Sequence, residues 1–395
     1  MRTFAALAVF LGAPAFAQQV GQPLPPWTPG TLDIHQINTG RGNAGLLIFP
    51  DGTSMLLDAG DGGRLPPRGT VPKPDASRTP AEWIARYARH MLAHDATAHG
   101  TPAIDYAYLT HFHDDHMGSM VGVGRQIPFR TMIDRGWPGY NYPAPLDNAM
   151  VKTYKAFLET QQKENGLKVE RLRPGRNDQI VLLREPSKYP NFEVRNIAAN
   201  GEIWTGVGTN TREQFPLLRD LQPAEYPDEN MCSLAIRISY GKFNYFSGGD
   251  IPGRASDGAP LWNDMETPVA KAVGPVDATI LNHHGNRNSQ NAFYVGTLRP
   301  QVFIIPVWSS DHPGHDVLDR LFSAKIYPGP RDGFATNMIE ANRIVIGDLI
   351  DRLKSTQGHI VLRVTPGGDT FQVMILDDSA ETYRVKAVFG PYQSR

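Results

Sequence analysis

The segment THFHDDHMG, residues 110–118, brings three imidazoles and two carboxylates together within six consecutive positions. Side chains two residues apart in an extended segment lie on the same side, so His111 and His113 can converge on one ion. Asp115 and His116 continue the turn and can face a second ion nearby. Imidazole nitrogen and carboxylate oxygen suit Zn²⁺, Fe²⁺ or Mn²⁺ rather than Ca²⁺. The pattern predicts two divalent metal ions, with Zn²⁺ as the first expectation. A metal-free, histidine-rich loop is the weaker alternative, because the whole chain has only 12 histidines.

Candidate ligands from remote parts of the chain stand where predicted strands end. Asp250 ends the segment FSGGD, where two glycines give the backbone the freedom to bring the carboxylate to a site shared by both ions. His283 and His284 follow another predicted strand in ILNHHGN. Each segment is a weak signal alone, since Gly-Asp is common in turns and His-His often follows a strand. Their order after the histidine cluster strengthens the prediction.

Three further polar residues follow the same kind of strand end. His312, in DHPGH after the predicted strand VFIIPV, can protonate a leaving group or bind an oxyanion. A helix-capping or structural role is the alternative for His312. Asn286 and Arg287 come shortly after the paired histidines and can contact an anionic substrate.

Short strands and intervening helices must position these residues. The sequence predicts strands over LDIHQI, GLLIFP, SMLLDAG, AIDYAYL, QIVLL, FEVRNIA, CSLAIRISY, FNYFSGG, ATILN and VFIIPV, and a final hairpin over GHIVLRVTPGGDTFQVMILDD. Apolar residues at helical spacing predict helices over AEWIARYARHMLAHD, AMVKTYKAFLETQQKEN, PVAKAV and HDVLDRLFS. Strands dominate each half, with helices between them. This distribution predicts two mixed sheets packed together with helices outside, a layered α/β sandwich.

The termini and the composition limit the functional classes. Residues 1–17 have the positive start, apolar run and small-x-small ending of a secretory signal peptide, which predicts cleavage near Ala17 and a secreted or periplasmic protein. Residues 18–30 are a Pro-rich segment that we interpret as a tether. No other stretch has the length of a membrane helix, so no membrane partner is expected for the mature form. A formal charge of −1 from 39 basic and 40 acidic residues does not favour a long nucleic acid as partner.

From these residues, the chain resembles the metallo-β-lactamase fold hydrolases, and within them the hydrolase domain of ComEC-type competence proteins. The resemblance runs from about Leu32 to Asp378 and rests on the order of its motifs. These are LLDAGD, HFHDDH, ENMCSLAIRI, SGGD, ILNHHGN, DHPGHDVLDRL and QGHIVLRVTPGG. It implies a four-layer αββα sandwich in a single domain over residues 31–395. Two segments, near 62–100 and 133–177, are longer than that domain needs and are interpreted as insertions.

The resemblance also implies roles for matching positions. His111 and His113 would hold the first metal, Asp115 and His116 the second, and Asp250 would bridge both. His283 would complete the second site, with His284 the less favoured ligand. Asp58 would lie beneath the metals as a hydrogen-bond acceptor that orients a ligand.

One departure from the family bears on the substrate. Many β-lactamases of the family bring a third histidine to the first metal, but no histidine occurs between His116 and His283. Either Asn230 or water then fills that place. This feature and the bridging Asp250 argue against a β-lactamase and favour hydrolysis of a phosphodiester bond. The substrate would be small or anionic, of the nucleotide or nucleic-acid type. Asp115 would also orient the nucleophile. Hydrolysis of a lactone, thioester or amide is the alternative, and a non-catalytic metal-binding protein is the third interpretation.

Overall fold

The computed structural model describes residues 19–63, 66–93, 100, 102–253 and 259–395. The predicted signal peptide, residues 1–17, lies outside the described residues. The described chain forms two mixed sheets that pack face to face, with helices against the outer face of each sheet. The predicted α/β class, a four-layer αββα sandwich of two mixed sheets with outer helices, is confirmed. Among the described residues, no helix combines the length and apolar character needed to cross a membrane.

The first sheet carries the histidine cluster and has nine strands in the described chain. In spatial order they are β17 (Val385–Gln393), β16 (Thr370–Leu376), β15 (His359–Val364), β1 (Leu32–Gln36), β2 (Ala44–Ile48), β3 (Ser54–Ala59), β4 (Ile104–Tyr108), β5 (Phe129–Asp134) and β6 (Lys168–Arg171). Neighbours are antiparallel from β17 to β3 and parallel from β3 to β6. Parallel strands end at the same edge of a sheet, so the loops after β3 and β4 lie side by side.

The second sheet carries the remaining candidate ligands and has eight strands in the part of the chain that is described. In spatial order they are β14 (Asp332–Ala335), β13 (Val302–Ile305), β12 (Ala278–Ile280), β11 (Phe243–Ser247), β10 (Ala235–Tyr240), β7 (Phe192–Ala199), β8 (Glu202–Trp204) and β9 (Thr211–Glu213). Neighbours are parallel from β14 to β11 and antiparallel from β11 to β9. The loops after β11, β12 and β13 therefore leave from one edge.

The helices cover the outer face of each sheet. Their bounds are α1 (Pro80–Met91), α2 (Asp114–Met117), α3 (Met120–Gly124), α4 (Ala149–Asn165), α5 (Glu266–Val273), α6 (Ala292–Leu298), α7 (His315–Phe322) and α8 (Glu340–Ile346). Short 3₁₀ segments span Pro186–Lys188, Leu218–Asp220, Pro223–Glu225, Leu261–Asn263, Asn282–Gly285 and Gly347–Arg352. Helix α1 begins with a capping box in which Thr79 and Glu82 bond each other's backbone N–H groups.

Alternating side chains of the strands build three apolar layers. In β2, Leu46 packs toward the first outer helices, together with Ile84 of α1. Leu47 faces the other way and shares the layer between the sheets with Ile236 and Phe243 of the second sheet. A third layer joins the second sheet to α5, α6 and α7. Strands buried on both faces are nearly continuous in apolar residues, as the segments GLLIFP and SMLLDAG show.

Residues 19–30 and 133–177 both pack into the described fold. Residues 133–177, expected as an insertion, contain α4 and β6, and β6 extends the first sheet beyond β5 in parallel. The segment 19–30, expected as a tether, lies along β17, where Gly21 N–H donates to Val385 O at 2.8 Å. Leu24 and Trp27 are buried there. These two apolar side chains explain why the Pro-rich segment packs against the sheet.

The strand predicted over QIVLL, residues 179–183, is wrong, because no strand forms there. Ile180 and Leu182 still face the layer between the sheets. The backbone of this segment bonds to side chains instead of to a strand: Val181 N–H donates to Tyr106 Oη at 3.2 Å and Leu183 N–H to Thr53 Oγ1 at 2.9 Å. The alternating apolar residues of this segment are buried as predicted, but its backbone N–H groups donate to side-chain oxygens rather than to a neighbouring strand.

Candidate metal centre

The histidine cluster begins where β4 ends and leads into α2. Leu109 N–H still bonds Ile133 O at 2.9 Å in the sheet, and His113 is the residue before the helix, with an extended backbone. The backbone bends at Phe112 and His113, and the Phe112 side chain is buried in the core between the two histidines. His111 Nε2 and His113 Nδ1 lie 3.1 Å apart. The structure thus brings together the two residues predicted for a first metal.

A second group gathers four buried side chains from both sheets. Ligand atoms of Asp115, His116, Asp250 and His284 all lie within 4.8 Å of one another. His116 Nε2 is 3.2 Å from Asp250 Oδ1 and 3.2 Å from His284 Nε2. His284 Nε2 is 2.9 Å from Asp115 Oδ2. Two nitrogens and two carboxylates converging on one point form a donor set that suits Zn²⁺, Fe²⁺ or Mn²⁺.

Asp250 connects the two groups. Its Oδ2 is 3.8 Å from His111 Nε2, and its Oδ1 is 3.2 Å from His116 Nε2. The glycines before it permit this approach: Gly249 has φ +58°, and a Cβ added there would lie 3.0 Å from both the Ser233 and the Thr110 side chains. The structure places the Asp250 carboxylate between the two histidine pairs.

The structure brings His284, rather than the expected His283, into the second group. The His284 side chain is 1% exposed and its Nε2 lies 2.9 Å from Asp115 Oδ2, whereas the His283 side chain is 19% exposed and its Nε2 lies 3.9 Å from Asp250 Oδ2. His283 and His284 both have positive φ, at 48° and 54°, so the backbone after β12 turns left-handed at two successive residues. This double turn carries His283 to the cavity wall and points the second histidine at Asp115. The sequence favoured His283 because it directly follows the predicted strand. The left-handed turn brings the next residue, His284, to the second group instead.

Partners outside the metal groups fix the imidazole orientations. His284 Nδ1 lies 3.0 Å from Pro306 O, a carbonyl that can only accept, so Nδ1 carries the hydrogen and Nε2 keeps its lone pair. His116 Nδ1 lies 2.7 Å from Asp58 Oδ2 and is oriented in the same manner. Asp58 also accepts from Thr110 N at 2.8 Å and from Asn43 Nδ2 at 2.9 Å. Each Nε2 is therefore available for a cation.

The charges of the centre favour a bound cation. Asp58, Asp115 and Asp250 are buried carboxylates, and no described Lys or Arg forms an ion pair with them. Burial alone would lower the pKa of His116, but these three carboxylates together hold it well above its ordinary value. Burial raises the pKa of Asp250, and the neighbouring His116 and His284 outweigh it and bring the pKa well below its ordinary range. A divalent cation would neutralise the same excess of negative charge.

A cavity of about 310 Å³ opens over the two groups. His113, Asp115, Asn230, Asp250 and His283 are among the residues that line it. The Asn230 Oδ1 atom is buried and has no hydrogen-bond partner among the described residues, as expected of an atom that accepts from, or binds, something in the cavity.

His312 and Trp308 also line the cavity. The His312 ring is stacked on His284, with centroids 4.6 Å apart. Burial and the neighbouring His284 lower the pKa of His312 to about 3, so the ring is neutral at neutral pH. Its Nδ1 has no hydrogen-bond partner within the described chain. The structure therefore brings His312 to the candidate centre, while the exposed Arg287 is not among the residues that line the cavity.

Asn286 has a local structural partner. Its Oδ1 accepts from Arg287 N at 2.6 Å, and Ser289 Oγ donates to Asn286 O at 2.8 Å. Neither contact faces the metal groups. The pair Asn286–Arg287 forms the turn after the two histidines rather than the cavity wall.

Sequence reasoning missed the charged pair Arg135–Glu229 and the residue Asn288. Glu229 bonds the backbone N–H of Phe112, between the two first-metal histidines, at 2.7 Å. Asn288 Oδ1 lies 2.7 Å from His283 Nδ1. The one local signal for Glu229 is its place beside Asn230 in the motif ENMCS, because its partner Arg135 lies 94 residues away.

Comparisons with known proteins give distant structural matches and no match in sequence. No protein-family model matches the chain, and no curated protein matches it in sequence. Among solved structures, it is similar to CmlA, a diiron β-hydroxylase from Streptomyces venezuelae, at 13% identity, 86% of this chain, 55% of that chain and a TM-score of 0.39. This chain thus spans about half the length of CmlA.

Two further matches cover nearly all of the other chain. One is Igni18, a metallo hydrolase from the archaeon Ignicoccus hospitalis, at 10% identity, 84% of this chain, 98% of that chain and a TM-score of 0.38. The other is the metallo-β-lactamase fold protein YhfI from Bacillus subtilis. The match has 11% identity, covers 85% of this chain and 98% of that chain, and has a TM-score of 0.34. At such identities and TM-scores, these proteins do not indicate what this chain binds or acts on. The predicted closeness to ComEC-type proteins stays a prediction.

Proposed function

We propose that the protein is a hydrolase that uses two divalent metal ions, with Zn²⁺ the preferred ion and Mn²⁺ or Fe²⁺ as substitutes. His111 and His113 would hold the first ion, and Asp115, His116 and His284 the second. Asp250 would bind both. The observation that carries the proposal is the convergence of Asp115, His116, Asp250 and His284 within 4.8 Å, from loops of both sheets.

The chain's own residues divide the work of hydrolysis. When bound, a pair of divalent ions polarises a scissile bond and lowers the pKa of a water molecule. Asp115 Oδ2 lies 2.9 Å from His284 Nε2, and Asp115 lines the cavity, where its carboxylate can orient a nucleophilic water. His312, whose Nδ1 is without a partner in the described chain, can donate a hydrogen bond to an oxyanion. Asp58 holds His116 in the orientation that leaves Nε2 free.

For the substrate, we propose a phosphodiester of small size. The support is Asp250 between the two groups, the lack of any histidine between His116 and His283, and the Asn230 Oδ1 atom, which has no hydrogen-bond partner among the described residues. The cavity volume of about 310 Å³ suits a nucleotide-sized group rather than a long polymer.

A second candidate, hydrolysis of a lactone, thioester or amide, has one observation in its favour. Asp114 and Asp311 also line the cavity, and the described lining residues include no Lys or Arg. Carboxylates near the opening disfavour a polyanion through like-charge repulsion. A neutral ester or amide would meet no such repulsion.

The experiment measures metal content and turnover together. The purified chain is loaded with Zn²⁺ or Mn²⁺, its metal content is determined by elemental analysis, and bis(p-nitrophenyl) phosphate, nitrocefin and a lactone are offered. Two ions per chain and turnover of the phosphodiester support the proposal, whereas turnover of the lactone or nitrocefin alone selects the second candidate. Two ions with no turnover of any substrate would favour a non-catalytic binding protein.

An isosteric pair of variants tests Asp250. Asp250→Asn should reduce the bound metal and the turnover together, because an amide cannot bridge two cations. Asp33→Asn is the control: Asp33 is equally buried and pairs with Arg363, away from the centre. If Asp250→Asn kept two bound ions and full turnover, the proposed bridging role of Asp250 would be refuted.

The place of action is also a proposal. We propose export, on the strength of the N-terminal sequence alone. Expression of the full chain followed by fractionation and N-terminal sequencing checks it. Export gives a mature chain that starts near Gln18 outside the cytoplasm, and an uncleaved chain in the cytoplasm would contradict it.

A further inference from the structure

We infer that Glu229, held by Arg135, is a positioning residue that fixes the first-metal histidine loop against the loop of Asn230. The inference rests on the proposed function in one respect, that the histidine loop holds a metal. Neither residue lies among the metal groups. Both act by fixing the backbone of the loops that carry the metal-binding histidines and Asn230.

Glu229 grips the middle of the histidine loop. Its Oε1 accepts from Phe112 N at 2.7 Å, and Phe112 lies between His111 and His113. A hydrogen bond to a carboxylate is roughly twice as strong as one between neutral groups. The carboxylate thereby fixes the peptide from which both imidazoles project.

Arg135 fixes the carboxylate in turn. Its Nε donates to Glu229 Oε1 at 2.7 Å, and its Nη2 donates to Glu229 Oε2. The two-point contact allows one orientation of the carboxylate. The Arg135 guanidinium also lies 5.1 Å from the centre of the Phe112 ring, against the same loop.

Further acceptors leave Arg135 little freedom. It is 1% exposed, and its Nη1 donates to Asn200 Oδ1 and to Tyr142 O, both at 3.0 Å. Asn200 closes the ring by donating from Nδ2 to Arg135 O at 2.9 Å. A buried guanidinium with partners on every side is held rigidly, so it provides a fixed point for the loop.

The same pair also positions the other loop. Cys232 N–H donates to Glu229 O at 3.2 Å, and Leu234 N–H donates to Thr110 O at 2.9 Å. Between these anchors, Asn230 faces the cavity and Ser233 Oγ accepts from Asp250 N at 3.2 Å. The ion pair Arg135–Glu229, whose arginine is buried, therefore sets the spacing between the histidine loop, Asn230 and the bridging carboxylate.

The test compares two buried Arg–carboxylate pairs in the full chain. Glu229→Gln keeps the shape of the side chain but places an amide against the Arg135 donors. Asp33→Asn does the same at the pair Asp33–Arg363, whose contacts are 2.8 and 2.6 Å and lie away from the centre. Zn²⁺ affinity is measured for each by competition with a chromophoric chelator.

We expect Glu229→Gln to weaken the binding of one of two Zn²⁺ ions by roughly 10- to 100-fold, the range for lost partners of metal ligands. The second ion and both ions of Asp33→Asn should bind as in the unaltered chain. The inference is overturned if Glu229→Gln binds both Zn²⁺ ions as tightly as the unaltered chain, or if Glu229→Gln and Asp33→Asn lose the same amount of Zn²⁺ affinity. Arg135→Lys, which keeps the charge and loses the two-point contact, should show the same selective loss and serves if Glu229→Gln does not fold.

A metal-free measurement separates this inference from the proposed function. In chelator-treated protein, amide hydrogen exchange of a peptide covering residues 110–117 should be faster in Glu229→Gln than in Asp33→Asn, because the Phe112 N–H has lost its fixed acceptor. Equal exchange in the two variants overturns the inference. An unaltered chain that binds no Zn²⁺ overturns the proposed function without affecting the exchange result.

Discussion

Replacing Asp58 with Asn tests how the protein orients its metal ligands. Asp58 is fully buried and has φ +58°, a backbone conformation that Asn adopts more readily than most residues. The substitution therefore replaces one carboxylate oxygen by an NH₂ group without adding backbone strain. Its effect reports on the hydrogen bonds and the negative charge of this carboxylate.

The magnitude follows from the partners of the two oxygens. Oδ1 accepts from Thr110 N, while Oδ2 faces Asn43 Nδ2, Thr110 Oγ1 and His116 Nδ1. An amide NH₂ in either position meets at least one donor that cannot turn away. Leaving one buried donor unsatisfied costs about 1–3 kcal/mol. We expect the free energy of unfolding to fall by about that amount, and Zn²⁺ affinity by roughly 10- to 100-fold.

The assay combines urea unfolding of metal-free protein with chelator competition for Zn²⁺. The matched control is Asp51→Asn, at the other end of β3, where the buried Asp51 accepts from the backbone N–H groups of Thr53 and Arg184. Both variants should lose stability, and Asp58→Asn alone should lose metal affinity. If both variants bound Zn²⁺ as tightly as the unaltered chain, orientation of His116 by Asp58 would not matter and the reasoning would fail.

Three further predictions concern the same region. His284→Ala should remove one bound ion and His283→Ala should keep both, because only the former lies in the second group; elemental analysis checks this, and the reverse result would restore the first histidine as ligand. Burial raises the pKa of Glu266 from 4.5 to about 7 against three hydrogen bonds that favour the charged form. Since the folded pKa lies above the unfolded one, stability should fall as pH rises from 4.5 to 7, by about 3 kcal/mol at most. Urea unfolding across this range checks it, and a slope unchanged in Glu266→Gln would contradict it. Gly62→Ala should displace Trp308, since the added Cβ would lie 2.4 Å from the indole ring; altered tryptophan fluorescence and reduced turnover are expected, and unchanged values of both would show that the wall yields without effect.

Local sequence patterns predicted most of the helices and strands of the fold. The helix predicted over AMVKTYKAFLETQQKEN forms at Ala149–Asn165, because Asn148 caps its first turn and Gly166 ends it in a left-handed conformation. The opening hairpin and the strand before the histidine cluster also form where their apolar runs predicted them. Each of these elements is specified by neighbours in the chain.

Features that depend on distant partners could not be predicted in the same way. Whether His283 or His284 enters the second group depends on two left-handed residues and on Pro306, a backbone acceptor from another strand. Glu229 acts through Arg135, which no local pattern links to it. The QIVLL segment had the composition of a strand, yet Tyr106 and Thr53 supply its acceptors. In all three cases, tertiary contacts overrode the local pattern.

The second metal group takes Asp115 and His116 from the first sheet and Asp250 and His284 from the second. An ion bound there would act as a clasp across the sandwich, in addition to the apolar layer between the sheets and polar contacts such as that of Glu229 with Phe112 N. Stripping the ion would loosen the sandwich at the clasped rim first, while the opposite rim, where Tyr240 Oη donates to Gly30 O at 2.9 Å, stays closed. Metal supply would then govern the lifetime of the folded chain as well as its chemistry.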